Sequence, residues 1–287
     1  MEFVETTTKD GLVLQGLISE PPKTTDEVIL HIHGMSGNFW ENAFVKIMLK
    51  DYPKNNIAFL TVENRGAELM RWFETKDGNS KLIGDAYEIF EECVYDIQAW
   101  VDFLKSKGYT KIHLQGHSLG CSKITYYKSL TDDKNIKSLL LISPADMIGL
   151  LVNEKDISEY DKRMTEAKKL SKEGRENDLL SGILWGFAMQ SAKSFINFSK
   201  ENKNIAVFNY YNPELGFETL KLVDIPILAF TGTNDDAFVT DKQKSLDRIK
   251  KEAVKCPKFV GKIFNGAEHE FIGFDKDIID EVIKFIK

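Results

Sequence analysis

The sequence predicts an α/β protein with a mostly parallel sheet and one helical insertion. Short apolar runs that favour strands alternate along the chain with longer stretches of helical periodicity. Such alternation indicates right-handed β-α-β units, in which neighbouring strands run parallel and helices cover both faces of the sheet. The alternation is interrupted once, between residues 144 and 225, where roughly eighty residues contain no clear core strand.

The strands can be assigned in order from these runs. Residues 3–8 and 12–18 flank an Asp10-Gly11 turn, which predicts an antiparallel hairpin that supplies the antiparallel edge of the sheet. Six further apolar strands are predicted at residues 28–33, 57–62, 111–115, 139–143, 225–231 and 259–264. Helical spacing of apolar residues predicts helices over residues 87–107, 118–130 and 278–286.

The long interval defines a domain boundary. Residues 1–144 and 225–287 are predicted to form the core domain, and residues 145–224 an inserted cap. Helical patterns in this insertion, charged around residues 160–172 and apolar around residues 179–198, favour an ordered cap over a disordered loop.

Composition excludes several functional classes. The net charge is −6, and no long basic block is present, so a nucleic-acid partner is not expected. The sequence has no run of about 18 apolar residues, so a membrane span is not expected. The N-terminus lacks the features of a signal peptide. Three cysteines without a CxxC spacing are typical of reduced thiols, which predicts a cytoplasmic protein.

Cofactor signatures are also missing from the sequence. No phosphate-binding G-x-x-x-x-G-K-[ST] loop occurs, and no G-x-G-x-x-G follows a predicted strand, so no nucleotide cofactor is expected. His31 and His33 have the spacing of a metal-binding pair, but the nearby Asp-His of a binuclear signature does not follow them. We therefore predict neither a cofactor nor a metal.

A candidate nucleophile lies in the segment Gly116-His117-Ser118-Leu119-Gly120, which matches G-x-S-x-G. An apolar strand precedes it and a helix-competent stretch follows, as this motif requires. The serine must occupy a strained turn that projects its hydroxyl above the sheet, and glycines at both ends let strand and helix approach closely. The alternative is a glycine-rich turn with an exposed serine.

A serine hydroxyl needs a base, and five histidines are available. His117 adjoins the serine and is expected to point elsewhere on the turn. His113 lies in the preceding strand, and His31 and His33 precede a glycine-containing loop. His269 alone follows the last predicted strand, so we predict that it is the base, with an exposed loop histidine as the alternative.

The acid that orients the base is expected directly after strand 225–231, at the carboxyl end where sites on parallel sheets form. Asp235 occupies this position, and Asp236 is the alternative, whereas Asp224 lies at the opposite end of the strand. The oxyanion donors are predicted to be the backbone N–H groups of Leu119 and Met35.

With these landmarks in place, the chain resembles the α/β-hydrolase family. The resemblance is carried, in order, by His33-Gly34, Asn64-Arg65-Gly66, the Ser118 segment, residues 232–235 and residues 266–269. The order Ser–Asp–His is the order of that family. One departure, Val239 standing one residue later than in the family's G-x-x-D-x-x-V pattern, keeps Asp236 open as the acid.

The resemblance implies an eight-stranded sheet, helices on both faces, a helical cap and a ping-pong acyl-enzyme mechanism. Within the family the chain is similar to small carboxylesterases, including feruloyl-type and siderophore-ester hydrolases. The expected activity is hydrolysis of a carboxylic ester of a small, partly aromatic or apolar compound. A thioesterase, peptidase or acyltransferase with the same triad is the alternative, and so is a non-catalytic ligand-binding protein on this scaffold.

Candidate substrate contacts are Arg65, Trp185, Phe187 and Tyr210. Arg65 would bind a substrate carboxylate, with a surface position as the alternative. Trp185 and Phe187 belong to an aromatic set in the cap whose helical spacing also fits core packing, and Tyr210 would add a polar contact.

Overall fold

The computed structural model describes residues 1–40, 42–152 and 157–287. Within these residues the chain forms ten strands and eight α-helices. The strands are β1 (Glu2–Thr7), β2 (Val13–Ser19), β3 (Glu27–Ile32), β4 (Ala58–Val62), β5 (Trp72–Glu74), β6 (Ser80–Leu82), β7 (Lys111–His117), β8 (Ile136–Ile142), β9 (Ile227–Gly232) and β10 (Phe259–Phe264). The helices are α1 (Ala43–Lys54), α2 (Cys93–Ser106), α3 (Leu119–Leu130), α4 (Met147–Val152), α5 (Ile157–Lys172), α6 (Ala192–Asn197), α7 (Lys242–Glu252) and α8 (Asp275–Ile286).

Eight of the strands form one sheet in the spatial order β1-β2-β4-β3-β7-β8-β9-β10. Strand β2 pairs antiparallel with both β1 and β4, and all other pairs in this sheet are parallel. The predicted eight-stranded, mostly parallel sheet with an antiparallel hairpin at its edge is therefore confirmed.

Burial along the strands follows from their position in the sheet. The central strand β4 is buried at every residue, and its sequence AFLTV is almost continuously apolar, as expected for a strand covered on both faces. The edge strand β1 is mostly exposed and buries Val4. This contrast explains why the apolar runs of the sequence identify the central strands reliably.

Helices cover both faces of the sheet. On one face, Phe44 of α1 and Ile278 of α8 belong to one apolar core. On the other face, Trp100 of α2, Ile124 of α3 and Ile249 of α7 belong to a second core. Helices α2, α3 and α8 were predicted from the sequence, and each buries apolar residues against the sheet, whereas α7 was not predicted.

The segment between β8 and β9 contains α4, α5 and α6, and its described part adds no strand to the main sheet. It has an apolar cluster of its own that includes Tyr160, Leu184 and Phe195. The Ser191 N–H donates to Ala86 O at 2.7 Å, which attaches the segment to the core through the connection before α2. Among the described residues, no helix is long and apolar enough to cross a membrane.

A small antiparallel hairpin, β5–β6, was not predicted from the sequence. Each strand has three residues, of which only Phe73 is buried, so neither produces an apolar run. The Asp77-Gly78 pair between the strands, with Gly78 at φ +80°, is the turn signal that could have revealed it.

Candidate active site

The candidate site residues lie at one edge of the sheet. Strands β3, β7, β8, β9 and β10 are neighbours in that order and run parallel. The residues that follow their carboxyl ends include Met35, Ser118, Ser143, Asp235 and His269, respectively. Side chains far apart in sequence are therefore brought to one place by strand order alone.

Ser118 occupies the turn between β7 and α3, with φ +55° and ψ −123°. This backbone conformation is costly for a residue other than glycine and is found where surrounding structure enforces it. A Cβ added at Gly116 would lie 2.5 Å from the carbonyl carbon of Gly120, and one at Gly120 would lie 2.3 Å from Ile32 O. The two glycines therefore allow the close approach that the turn needs, as predicted.

The Ser118 side chain opens into a cleft of about 710 Å³, which the His269 side chain also lines. Among the described residues, the Ser118 hydroxyl forms no hydrogen bond, so it is free to meet a ligand. The other residues that line the cleft are Gly34, Met35, Ser36, Gly37, Asn42, Ala43, His117, Phe187, Asp236, Glu270 and Ile272.

Asp235 and His269 form a hydrogen-bonded pair. His269 Nδ1 lies 2.9 Å from Asp235 Oδ1, and the carboxylate is buried. The Ala237 N–H also donates to Oδ1 at 3.1 Å. Burial acts to raise the pKa of Asp235, but its hydrogen bonds and the His269 charge outweigh burial, so the pKa lies below the ordinary value.

The pKa of His269 is raised above its ordinary value. Burial acts to lower it, and the hydrogen bond and charge of Asp235 overcome that effect, with smaller contributions from Glu270 and Asp236. The carboxylate therefore stabilises the imidazolium form, which is what a base needs when it accepts a proton.

Asp236, the alternative acid, is exposed and lines the cleft. Among the described residues, the imidazole of His269 forms no hydrogen bond with the Asp236 side chain. The geometry thus pairs the imidazole with Asp235.

Ser143, which the sequence analysis did not identify, completes this cluster. Its hydroxyl donates to Asp235 Oδ2 and lies 2.8 Å from His269 Nδ1. Ser143 directly follows β8 at the same edge as the predicted residues. Its place after a predicted parallel strand was the available signal, but a serine in that place matches no motif.

His117 lines the cleft beside His269, in contrast to the expectation that it points elsewhere. The two rings are 4.9 Å apart, and His117 Nε2 lies 2.9 Å from His269 O. Because a carbonyl oxygen only accepts, His117 Nε2–H is the donor, and the bond holds the loop that carries His269. Burial, followed by the His269 charge, lowers the pKa of His117.

The loop after β3 is fixed by three bonds beside Ser118. His33 Nδ1 donates to Gly34 O at 2.8 Å, and its Nε2 accepts the Asn64 N–H at 3.3 Å. Burial lowers the pKa of His33 to about 3, so the ring is neutral. Ser36 Oγ donates to Asp85 Oδ2 at 2.9 Å.

Two backbone amides near Ser118 are the predicted oxyanion donors. Among the described residues, the N–H groups of Met35 and Leu119 donate no hydrogen bond. Leu119 is the first residue of α3, where backbone N–H groups have no partner within the helix. Met35 lines the cleft, and neither predicted oxyanion donor is engaged elsewhere in the described part of the chain.

Arg65 does not contact the cleft, and the prediction that it binds a substrate carboxylate is corrected. Its side chain is fully buried, which also excludes the surface position. The guanidinium pairs with Asp96 at 2.8 Å, Glu92 at 2.5 Å and Asp10 at 3.1 Å. These carboxylates satisfy its donors, so Arg65 connects the N-terminal hairpin to α2.

The aromatic candidates differ in their surroundings. Tyr210 is buried, donates to Pro144 O at 3.0 Å and stacks on Phe238, so it belongs to the core and not to the cleft. Trp185 is partly buried and packs against two apolar clusters. Phe187 is 49% exposed and lines the cleft, which makes it the aromatic candidate that a ligand can reach.

Two sets of side chains at the site have the spacing of metal ligands. They are His117 with His269 and Glu270, and Asp235 with Asp236 and His269, whose ligand atoms lie within 4.8 Å of one another in each set. His117 Nε2 and His269 Nδ1 are already engaged in hydrogen bonds. A metal bound through either of these two nitrogens would have to displace the hydrogen bond.

Solved structures resemble this chain over nearly its whole length. Est1E from Butyrivibrio proteoclasticus, solved with ferulic acid bound, has a TM-score of 0.68 at 17% identity, covering 99% of this chain and 98% of that chain. The α/β hydrolase GrgF from a Penicillium species has a TM-score of 0.69 at 14% identity, covering 100% of this chain and 97% of that chain. An esterase from Pyrococcus furiosus has a TM-score of 0.64 at 16% identity, covering 99% of this chain and 90% of that chain.

At these identities the likeness shows the fold, so the protein has the α/β-hydrolase fold that the sequence motifs implied. No model of a protein family matches the sequence, and no curated protein matches it.

Proposed function

We propose that the protein is a serine hydrolase that cleaves a carboxylic ester of a small, partly aromatic or apolar compound through an acyl-enzyme. In this proposal Ser118 is the nucleophile, His269 is the general base, and Asp235 orients the base. The observation that carries it is the strained Ser118 turn opening into the cleft that His269 lines, with His269 Nδ1 bonded to buried Asp235.

The reaction follows from these groups. Ser118 Oγ attacks the ester carbonyl carbon while its proton moves to His269 Nε2. The tetrahedral intermediate collapses, the C–O bond to the alcohol breaks, and the imidazolium returns the proton to the departing alcohol oxygen. Water then attacks the acyl-enzyme with the same base, which releases the acid and restores Ser118.

The developing negative charge on the carbonyl oxygen requires donors that are already in place. The partnerless N–H groups of Met35 and Leu119 are proposed to bind it. The bonds of His33 and Ser36 keep the Met35 loop in position, so little reorganisation accompanies the reaction.

We also propose that residues 145–224 act as a cap over the substrate. The support is Phe187, which extends from this segment into the cleft that contains Ser118. Met35, Ile272 and Phe187 give part of the cleft an apolar lining, which favours an apolar or aromatic group next to the ester.

The test is labelling of the folded protein with a fluorophosphonate, followed by peptide mapping. We expect the label on Ser118, loss of labelling in Ser118→Ala, and strongly slowed labelling in His269→Ala. Ser129→Ala, which changes a serine at the far end of α3, serves as the matched control and should label at the wild-type rate. A folded wild-type protein that stays unlabelled contradicts the proposal.

A panel of matched substrates separates the alternatives. Initial rates on an ester, a thioester and a peptide with the same acyl group measure the preferred leaving group, and hydroxylamine or an alcohol as acceptor detects acyl transfer. The ester is expected to have the highest kcat/KM. A protein that binds these compounds without turning any of them over would instead be a ligand-binding protein on the hydrolase scaffold.

A further inference from the structure

We propose that Ser143 is a positioning residue that, together with Asp235, fixes the tautomer and orientation of the His269 imidazole. The inference rests on the proposed function, because it concerns the group assigned there as the base. It adds a fourth side chain to the three that the sequence motifs identify.

The backbone at Ser143 holds its side chain in place. The residue is fully buried and has φ +54°, a conformation that residues other than glycine seldom adopt. Its N–H donates to Phe230 O at 2.9 Å, which extends the pairing of β8 with β9. The hydroxyl is thereby directed at Asp235, which follows β9, and at His269, which follows β10.

The directions of the hydrogen bonds follow from the atoms involved. An ionised Asp235 can only accept, so the single hydroxyl proton of Ser143 must be donated to Asp235 Oδ2. Ser143 Oγ can then only accept from His269 Nδ1. The Nδ1 proton is consequently shared between Ser143 Oγ at 2.8 Å and Asp235 Oδ1 at 2.9 Å.

This arrangement leaves Nε2 of His269 without a proton, which is the form that can accept the proton of Ser118. Two acceptors on one N–H also restrict rotation of the ring about its Cβ–Cγ bond. The Ser143 hydroxyl further binds the Asp235 oxygen that the imidazole does not use, so it restrains the carboxylate as well.

The first test compares Ser143→Ala and Ser143→Gly with the wild type on an ester. We expect kcat to fall about tenfold in both variants, the scale of a hydrogen bond to a charged group, with KM changed less than about twofold. Glycine adopts a positive φ freely whereas alanine does not, so an equal loss in both identifies the hydroxyl as the cause.

Ser122→Ala is the matched control for removal of a buried hydroxyl. Ser122 lies on α3, is fully buried, and its Oγ has no hydrogen-bond partner among the described residues. It should keep the wild-type kcat. If Ser143→Ala does not fold, the Ser143→Gly variant decides the outcome.

The second test measures the imidazole directly by NMR and does not depend on turnover. With the resonance assigned by its absence in His269→Gln, we expect a slowly exchanging Nδ1 proton in the wild type and fast exchange with solvent in both Ser143 variants. Unchanged kcat with unchanged exchange would overturn the proposal, as would a loss of kcat in the alanine variant alone. A wild type that cleaves no ester instead contradicts the proposed function, while the proton exchange still tests Ser143.

Discussion

At the scale of single residues, the geometry of the site depends on the hydrogen bonds that the His269 and His117 imidazoles form. His269 Nδ1 contacts Asp235 and Ser143, and His117 donates to the backbone carbonyl of His269. These bonds hold the ring and its loop from two sides. Because Asp235, Ser143 and His117 are buried, water competes little for their side of these bonds.

Exchange of the two neighbouring aspartates distinguishes their roles. Asp235→Asn should lower kcat by roughly three to four orders of magnitude, since an amide can donate to Nδ1 and select the wrong tautomer. Asp236→Asn, at an exposed position, should change kcat less than about threefold. Steady-state kinetics on purified variants measure both. A larger loss in Asp236→Asn would reverse the assignment of the acid.

The dependence of the rate on pH follows from the raised pKa of His269. The base must be neutral, so kcat/KM should fall as the pH drops through an inflection above 6.5, by about tenfold per pH unit below it. In Asp235→Asn the carboxylate that raises the pKa of His269 is lost, so burial lowers that pKa and the inflection should move to lower pH. A rate profile of the wild type with its inflection at or below 6.5 would be inconsistent with this geometry.

At the scale of secondary-structure elements, buried ion pairs join segments that the sheet does not. Arg65, in the connection after β4, binds Asp10 of the N-terminal hairpin turn and Asp96 of α2. Nearby, Lys123 of α3 pairs with buried Glu88 at 2.6 Å. Such pairs are costly to break, because the remaining charge is left in the interior.

Removal of the Arg65 charge should therefore affect stability and not substrate binding. Arg65→Met leaves the fully buried carboxylate of Asp96 without its charged partner, which should lower the free energy of unfolding by about 3–5 kcal/mol. Urea denaturation measures this change, and KM of the folded variant should stay within about twofold of the wild type. Arg175→Met, which breaks only exposed pairs, is the control and should cost less than about 1 kcal/mol. An increased KM at unchanged stability would restore the substrate-binding role.

At the scale of the whole molecule, the cleft is lined by loops at the carboxyl edge of the sheet and, from the segment that joins β8 to β9, by Phe187. That segment has its own apolar cluster and reaches the cleft through Phe187. Its aromatic residues divide accordingly: Phe195 and Phe198 are buried, whereas Phe187 is half exposed.

Truncation of Phe187 tests whether this segment contributes to the binding of the substrate. Phe187→Ala should raise KM for an aromatic ester about five- to tenfold, because apolar contact area is lost, and should leave KM for a methyl ester of a short acid nearly unchanged. Ile183→Ala removes a similarly exposed side chain that does not line the cleft, and it should have no effect on either substrate. Equal KM values for Phe187→Ala and the wild type on the aromatic ester would contradict a role for the cap in binding.

The apolar runs of the sequence identified the central strands, because strands buried on both faces are largely apolar, as in β4 and in residues 139–142 of β8. The sequence also predicted that Ser118, Asp235 and His269 follow three parallel strands, which are β7, β9 and β10. The strain at Ser118 and the need for glycine at positions 116 and 120 followed from the G-x-S-x-G motif alone.

The tertiary structure alone decided which polar side chains meet. Arg65 carries the same charge whether it is exposed or buried, and only the packing of three carboxylates around it showed that it is buried. Ser143 belongs to no motif, and His117 is a variable position of the G-x-S-x-G motif; their bonds depend on the spatial neighbours of β8 and β7. Hydrogen bonds between segments distant in sequence are fixed by strand order and side-chain direction, which local patterns of polarity do not encode.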